Sequence, residues 1–353
     1  MTTTNNHDTH QTISSYISGL EGGQDKFWHL VKLTEYIKTH AKEIYQQAPL
    51  KGKVITALFL NPSLRTRTSL ESGVFKLGGH LNVLNVGGGN GTWGVEFQKG
   101  VVMNQDKAEH IIEAAGVLSS YSDLLAMRSF ASMQNFELDM QDQAILALRR
   151  YAKVPVLSLE SACYHPCQSL ADAVTLKSYL GDTQKKKFTL AWSPHPKMCG
   201  VAVPHSALLA AARLGMDITV AHPKGYELEH TIMQTVEQVA HDQGGTLAVS
   251  HDLHAACDQA EVVYAKAWGA PIDYGSIEQG IQRNQHYHDW TLSDRYFDVN
   301  QQAFMHCLPV RRGVVVSDHI LDSSASLVQT QAENRLWTQM ALLLDLLDCS
   351  PMS

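Results

Sequence analysis

Val54-Ile55-Thr56-Ala57-Leu58-Phe59-Leu60, followed at once by Asn61-Pro62-Ser63-Leu64-Arg65-Thr66-Arg67-Thr68, decides how this chain folds. The first seven residues are apolar and partly β-branched, the pattern of a buried strand. In Ser69 to Leu77, Leu70, Val74 and Leu77 recur at helical spacing. The stretch 61–68 is therefore a strand-to-helix turn. Its serine, threonines and two arginines fall where the first N–H groups of a helix have no intrahelical partner. Free amides, hydroxyls, guanidinium forks and the helix dipole converge there on a site for a dianion. A capped helix start with solvated arginines is the plain alternative, and the density of donors weighs against it.

The same alternation continues on both sides. Residues 12–47 carry helical spacing through Tyr16, Phe27, Leu30, Val31, Leu33 and Tyr36. Residues 80–86 read as a second strand, and Gly87 to Gly91 as a mobile glycine loop leading to Trp93. A helix is expected over 108–119, a strand over 123–128, a helix near 141–152 and a strand over 154–159. His165-Pro166-Cys167-Gln168 opens a long helix, 169–180, that bridges to a second unit. There the expected order is strand 188–192, helix 207–214, strand 217–221, helix 230–241, strand 246–250, short helix 253–259 and strands 261–265 and 304–308. A final helix, 332–347, has one apolar stripe. Alternating strands and helices specify parallel sheets. The fold class is α/β, with two doubly wound parallel-sheet domains whose ligands lie at the carboxyl ends of the strands.

A chain of 353 residues is long enough for two domains of about 150 residues each. Net charge is −7, so broad nucleic-acid binding is not expected, and any anionic substrate must be met by a local arginine cluster. No run approaches the ~18 apolar residues of a membrane helix. The polar stretch Met1 to Gln11 lacks a signal-peptide pattern. Six cysteines without such a signal read as reduced cytoplasmic thiols. None is spaced Cys-x-x-Cys, and the histidine pairs His286/His288 and His251/His254 belong to no ligand set, so neither a metal nor another cofactor is expected.

Several polar groups fall just after expected strands: 63–68, Arg128, His165 with Gln168, Lys266, 306–309 and Arg311. Three of these motifs carry a resemblance. Ser63-Leu-Arg-Thr-Arg67, His165-Pro-Cys-Gln168 and His306-Cys-Leu-Pro309, in this order, resemble the signatures of the aspartate/ornithine transcarbamylases, over nearly the whole chain. The resemblance implies that Ser63, Leu64, Arg65, Thr66, Arg67 and Arg335 hold the phosphate of carbamoyl phosphate. It implies that Arg128, His165, Gln168, Cys307 and Leu308 grip the carbamoyl group, with Arg128, His165, Gln168 and Cys307 as the catalytic set. It also implies a homotrimer with shared active sites, in which Trp93 reaches a neighbour's site. The carbamoyl-phosphate domain would be residues 1–160 with the C-terminal helix 325–353, and the acceptor domain residues 161–324. Preorganised donors would stabilise the carbamoyl oxyanion as phosphate leaves, so Cys307 need not be a nucleophile.

The acceptor is read at Ala108, Glu160, Lys266 and Arg311, with Val315 beside them. Ornithine transcarbamylases place an aspartate and a Ser-Met-Gly loop where Lys266-Ala-Trp-Gly stands. A lysine there repels an α-ammonium and tolerates an acylated nitrogen. The chain thus resembles the branch acting on N-acylated ornithine, as does Pro194-His-Pro-Lys197; members of that branch have a knotted chain, so the resemblance implies a knotted C-terminal domain here. Acetyl-using members carry glutamate where Ala108 stands and lysine near Val315; succinyl-using members carry proline and an aliphatic residue there, so the chain departs from both at Ala108 and matches the succinyl pattern at Val315. Alanine removes a charge and a volume that would oppose a succinyl carboxylate, which Lys266 and Arg311 could pair, with Glu160 orienting the acceptor. The expectation is carbamoyl transfer to N-succinylornithine in arginine synthesis. Acetylornithine as acceptor is the alternative. A non-catalytic carbamoyl-phosphate sensor or a diamine transcarbamylase would stand further off.

Overall fold

The 54–60 run is a strand, and the helix after it begins at Arg65. A computed structural model describes residues 14–87 and 93–352. The expected tail at Met1 to Gln11 and glycine loop through Gly91 lie, wholly or mostly, outside the described residues. The strands are β1 (Ser15–Tyr16), β2 (Val54–Phe59), β3 (His80–Asn85), β4 (Val95–Glu96), β5 (Glu109–His110), β6 (Leu124–Arg128), β7 (Val156–Glu160), β8 (Lys187–Trp192), β9 (Asp217–Ala221), β10 (Thr246–Ser250), β11 (Val262–Lys266) and β12 (Ala303–Met305). They build two five-stranded sheets, ordered β1-β7-β6-β2-β3 and β10-β9-β8-β11-β12, and a two-stranded β4-β5 ribbon. Every pairing is parallel. The fold is the doubly wound α/β type that the alternation specified.

Strand order fixes where a ligand can sit. In the first sheet the chain steps from β2 outward to β3, then returns to place β6 on the other side of β2. The crevice opens between β2 and β6, where Phe59 pairs with Arg128. In the second sheet β9 and β10 go one way from β8, and β11 and β12 go the other. Trp192 and Lys266 pair at that second reversal. Crevices at such reversals are the binding positions of doubly wound sheets. The two reversals contribute to one cavity.

The helix Pro166–Leu180 joins the halves. Proline at its first turn costs no hydrogen bond, since that N–H has no partner in any helix. It is buried from Pro166 through Leu176, packed on the helices Ala202–Arg213 and Val328–Leu346. The C-terminal helix Val328–Leu346 then returns to the first half, against Arg65–Lys76 and Gly23–Thr39. One apolar cluster runs through these helices into both sheets.

Local differences have local causes. The helical spacing over 12–47 ends up in two helices, Gly23–Thr39 and Ala41–Gln47, broken at His40. Tyr16 is not helical; it pairs with Leu157 and buries its ring at the sheet edge. The helix expected from 108 starts at Ile111, because His110 is extended and caps it, its Nδ1 accepting from the Ile112 N–H at 3.2 Å. The helices Ile277–Gln285 and Asp318–Asp322 were not foreseen; both are short, and the first has only Ile277 and Ile281 as apolar side chains.

Candidate active site

The turn after β2 does what its composition demands. The Thr66 N–H donates to Ser63 Oγ at 3.2 Å, so the serine hydroxyl closes the helix start. Thr66, 2% exposed, then gathers two guanidiniums. Arg128 Nη1 donates to Thr66 Oγ1 at 3.2 Å and Arg335 Nη2 donates to it at 2.9 Å. Arg128 Nη1 also meets Glu160 Oε2 at 2.6 Å, and its guanidinium lies over the Phe130 ring. Arg335 Nη1 donates to Gln168 Oε1 at 2.7 Å. Among the described residues, the buried Nε atoms of both arginines have no partner.

A cavity of about 410 Å³ opens in front of these groups. It is lined by Arg65, Arg128, Lys197, Lys266, Arg311 and Arg335, six basic side chains, against the one carboxylate of Glu160. In a chain of net charge −7 this is a local reversal of sign, suited to an anionic substrate. Burial lowers Arg65 and Arg335 from their usual values, though guanidinium remains cationic in proteins. Burial also draws the Lys266 ammonium down, but Cys199, Cys307 and Glu160 outweigh it and hold Lys266 above its ordinary value. It is an ammonium, not a base.

The imidazoles differ. Burial, then the charges of Arg335 and Arg128, push His165 well below its usual pKa. His165 is therefore neutral, and its approach to Glu160, Nε2 to Oε2 at 3.4 Å, is not an ion pair. His306 is lowered by burial, Lys266, His195 and Arg65. Its Nδ1 accepts from the Leu308 N–H at 2.9 Å, so the neutral ring carries its proton on Nε2. That bond shapes the 306–309 turn, in which Leu308 sits at φ +54. Burial raises the Cys307 thiol to about 11, so it is protonated at neutral pH.

Of the residues singled out in the sequence, Ser63, Arg65, Thr66, Arg128, Glu160, His165, Gln168, Lys266, Cys307, Leu308, Arg311 and Arg335 line this cavity. Leu64 and Arg67 line an adjoining open groove that shares Ser63, Arg65 and Arg128. Trp93 and Ala108 line neither. Trp93 Nε1 donates to Glu109 Oε2 at 3.1 Å, and Ala108 is exposed. Val315 is 1% exposed, in an apolar cluster with Ala265 and Phe304. No sequence pattern gave roles to His195, Met198 and Cys199, which line the same cavity as Lys266. They come from an aperiodic loop, and only the Pro194-His-Pro-Lys197 pattern marked it.

Two family models cover most of the chain. Residues 14–178 match the carbamoyl-P binding domain, and residues 197–346 the Asp/Orn binding domain, of aspartate/ornithine carbamoyltransferase. The chain belongs to this family. N-acetylornithine carbamoyltransferase of Xanthomonas campestris pv. campestris is 42% identical over 83% of this chain and 87% of its own length. N-succinylornithine carbamoyltransferase of Bacteroides thetaiotaomicron is 35% identical over 81% and 84%. The chain thus sits in the N-acylornithine branch. Among solved structures, a glutamate-to-alanine variant of N-acetyl-L-ornithine transcarbamylase complexed with carbamyl phosphate and N-succinyl-L-norvaline matches with a TM-score of 0.89 and 38% identity, covering 94% of this chain and 99% of that one. The carbamoyltransferase thus has its cationic cavity at the paired strand reversals.

Proposed function

We propose that this carbamoyltransferase transfers the carbamoyl group of carbamoyl phosphate to the δ-amino group of N-succinyl-L-ornithine, giving N-succinyl-L-citrulline and phosphate, in arginine biosynthesis. The observation that carries the reaction is the meeting of Thr66, Arg128 and Arg335 with Gln168 and His165 in one cationic cavity. In this reading Ser63, Arg65 and Thr66, with Leu64 and Arg67 from the adjoining groove, hold the phosphate. Arg335 ties that group to Gln168. Arg128 and neutral His165 direct N–H groups at the carbamoyl oxygen, where negative charge builds as the amine attacks. Holding both substrates together supplies the proximity term. The phosphate leaves into a site of guanidiniums and takes the amine's proton. Cys307, a thiol at neutral pH, makes no covalent bond.

For the acceptor, Lys266 and Arg311 add two cations to the cavity lining, suited to an acceptor with two carboxylates. Lys266 also disfavours free ornithine, whose α-ammonium it would face. By resemblance, acetyl-using relatives carry glutamate at Ala108. A solved acetyl enzyme in which a glutamate is replaced by alanine holds a succinyl analogue, which supports the succinyl reading. The higher identity to acetylornithine enzymes, 42% against 35%, favours the second reading, acetylornithine. Ala108 and Trp93 lie outside their own chain's cavity, so their roles require a second copy, and we assign a homotrimer with sites shared between subunits. Residues 1–160 with 325–353 bind carbamoyl phosphate, and residues 161–324 bind the acceptor. Initial rates with ornithine, acetylornithine and succinylornithine test the reading; faster turnover of acetylornithine would replace the succinyl assignment.

A further inference from the structure

Behind the cavity wall lies a carboxylate that no step above uses. Asp172 is 1% exposed on the inner face of the helix Pro166–Leu180 and does not line the cavity. Its Oδ1 accepts from Gln168 Nε2 at 2.7 Å and from Gln331 Nε2 at 2.7 Å. Each amide is held at its other end. Gln168 Oε1 accepts from Arg335, and Gln331 Oε1 accepts from the His306 N–H at 3.1 Å. The second N–H of Gln331 goes to Tyr264 Oη at 3.1 Å. An amide between a carboxylate and a guanidinium has one workable orientation, N–H toward the anion and C=O toward the cation, because the flip sets donor on donor and acceptor on acceptor. The polarity of Gln168 therefore follows from its neighbours.

Resting on the carbamoyl-transfer reading of the cavity, we infer that Asp172 is a positioning residue: it fixes the polarity of the Gln168 and Gln331 amides, and through them the carbonyl offered to the carbamoyl group and the backbone of the 306–309 turn. Gln168 spends one amide N–H and one carbonyl lone pair on Asp172 and Arg335, leaving the rest of the amide for a bound carbamoyl group. Gln331 spends every donor, so it acts as a fixed strut between Asp172 and His306. One carboxylate thus couples the phosphate-holding helix pair to the turn that closes the other side of the cavity.

The groups facing Asp172 are Arg335 on the C-terminal helix, Tyr264 on β11 and Cys307 in the turn. Tyr264 and Cys307 are held in their neutral forms by burial. Burial, only partly offset by its hydrogen bonds and Arg335, raises Asp172 to about 7. Above that pH a carboxylate anchors both amides; below it, a neutral acid does so more weakly.

Asp172→Asn keeps an acceptor oxygen and carries no charge at any pH. With saturating carbamoyl phosphate and whichever acylated ornithine turns over faster, the wild-type to Asp172→Asn ratio of kcat is expected to be about tenfold at about pH 8.5. It is expected to fall toward one below about pH 6, with the midpoint about 7. The KM for the acceptor should stay within about twofold. Asp172→Leu, which offers no acceptor, should lose kcat by on the order of a hundredfold with a cooperative melt retained; should it not fold, the pH course of the Asp172→Asn ratio still decides. An active wild type with a ratio that stays constant across pH would overturn the inference alone, since a merely structural role has no reason to titrate. A wild type without carbamoyl transfer would overturn the reading of the cavity and this inference with it.

Discussion

Arg128 ends β6 with its Nη1 shared between Thr66 and Glu160 and its guanidinium over Phe130. Removing it strips one preorganised donor from the cavity and leaves Glu160, which lines the cavity, without its ion-pair partner. Arg128→Ala is expected to lower kcat by about a hundred- to a thousandfold. Arg128→Lys should recover little, because a point charge cannot span Thr66 and Glu160 as a planar fork does. Steady-state kinetics with carbamoyl phosphate check both, and a near-normal kcat for either variant would remove Arg128 from the mechanism. A second residue-scale expectation concerns pH. His205 is fully buried, with Nδ1 3.0 Å from the Cys163 carbonyl, and burial lowers it from 6.5 to about 4. The unfolded chain then binds a proton that the folded chain refuses. The sign follows: His205 lowers stability as pH falls from about 6.5 to about 4, by up to about 3 kcal/mol. Asp172, raised to about 7, works in the opposite direction, so the difference between variants is the cleaner readout. His205→Asn, which keeps a donor toward Cys163, should show a shallower loss of unfolding free energy between about pH 7 and 4.5 in urea titrations than wild type.

At the scale of elements, close helix packing positions Arg335. Gly73 in Arg65–Lys76 faces Met340 of the C-terminal helix, where an added Cβ would lie 3.3 Å from Met340 Cγ. A larger side chain must push that helix away from the turn whose hydroxyl Arg335 holds. Gly73→Leu is expected to cost about 1–3 kcal/mol of stability and to lower kcat together with it; thermal melts beside kinetics test this, and a stable, fully active variant would contradict it. The legibility of the sequence also divides at this scale. β2 and the turn after it were readable because strand period, turn residues and helix period follow one another without a gap. The helix at 166–180 was readable from His165-Pro166. On the cavity's other wall Lys266, Cys307, Leu308 and Arg311 were readable, but the loop beside them was not. His195, Met198 and Cys199 belong to an irregular loop with no period, and they meet Lys266 only because β8 and β11 pair at the second reversal. Asp172 and Gln331 lie 159 residues apart and are joined by a side-chain hydrogen bond that no local pattern marks.

The whole molecule sets a different constraint. Two parallel sheets bring their strand reversals to one cavity, and the helix Pro166–Leu180 with the C-terminal helix locks them together. Yet Trp93 and Ala108, on which the neighbour's contribution and the acyl choice rest, stand apart from that cavity. If sites are shared between subunits, two defective chains can complement each other. Inactive Arg128→Ala and Trp93→Ala proteins, denatured and refolded together, should regain a fraction of wild-type activity, and sedimentation should give a trimer. No regain, or a monomer that is fully active, would contradict shared sites. Ala108→Glu should likewise move preference toward acetylornithine, and an unchanged preference would take Ala108 out of the acceptor reading. The central claim is a transfer from carbamoyl phosphate to an N-succinylated ornithine. Its most direct test is a side-by-side measurement of kcat/KM for succinylornithine, acetylornithine and ornithine at fixed carbamoyl phosphate. The account predicts succinylornithine foremost and ornithine last; equal or faster turnover of acetylornithine would contradict it.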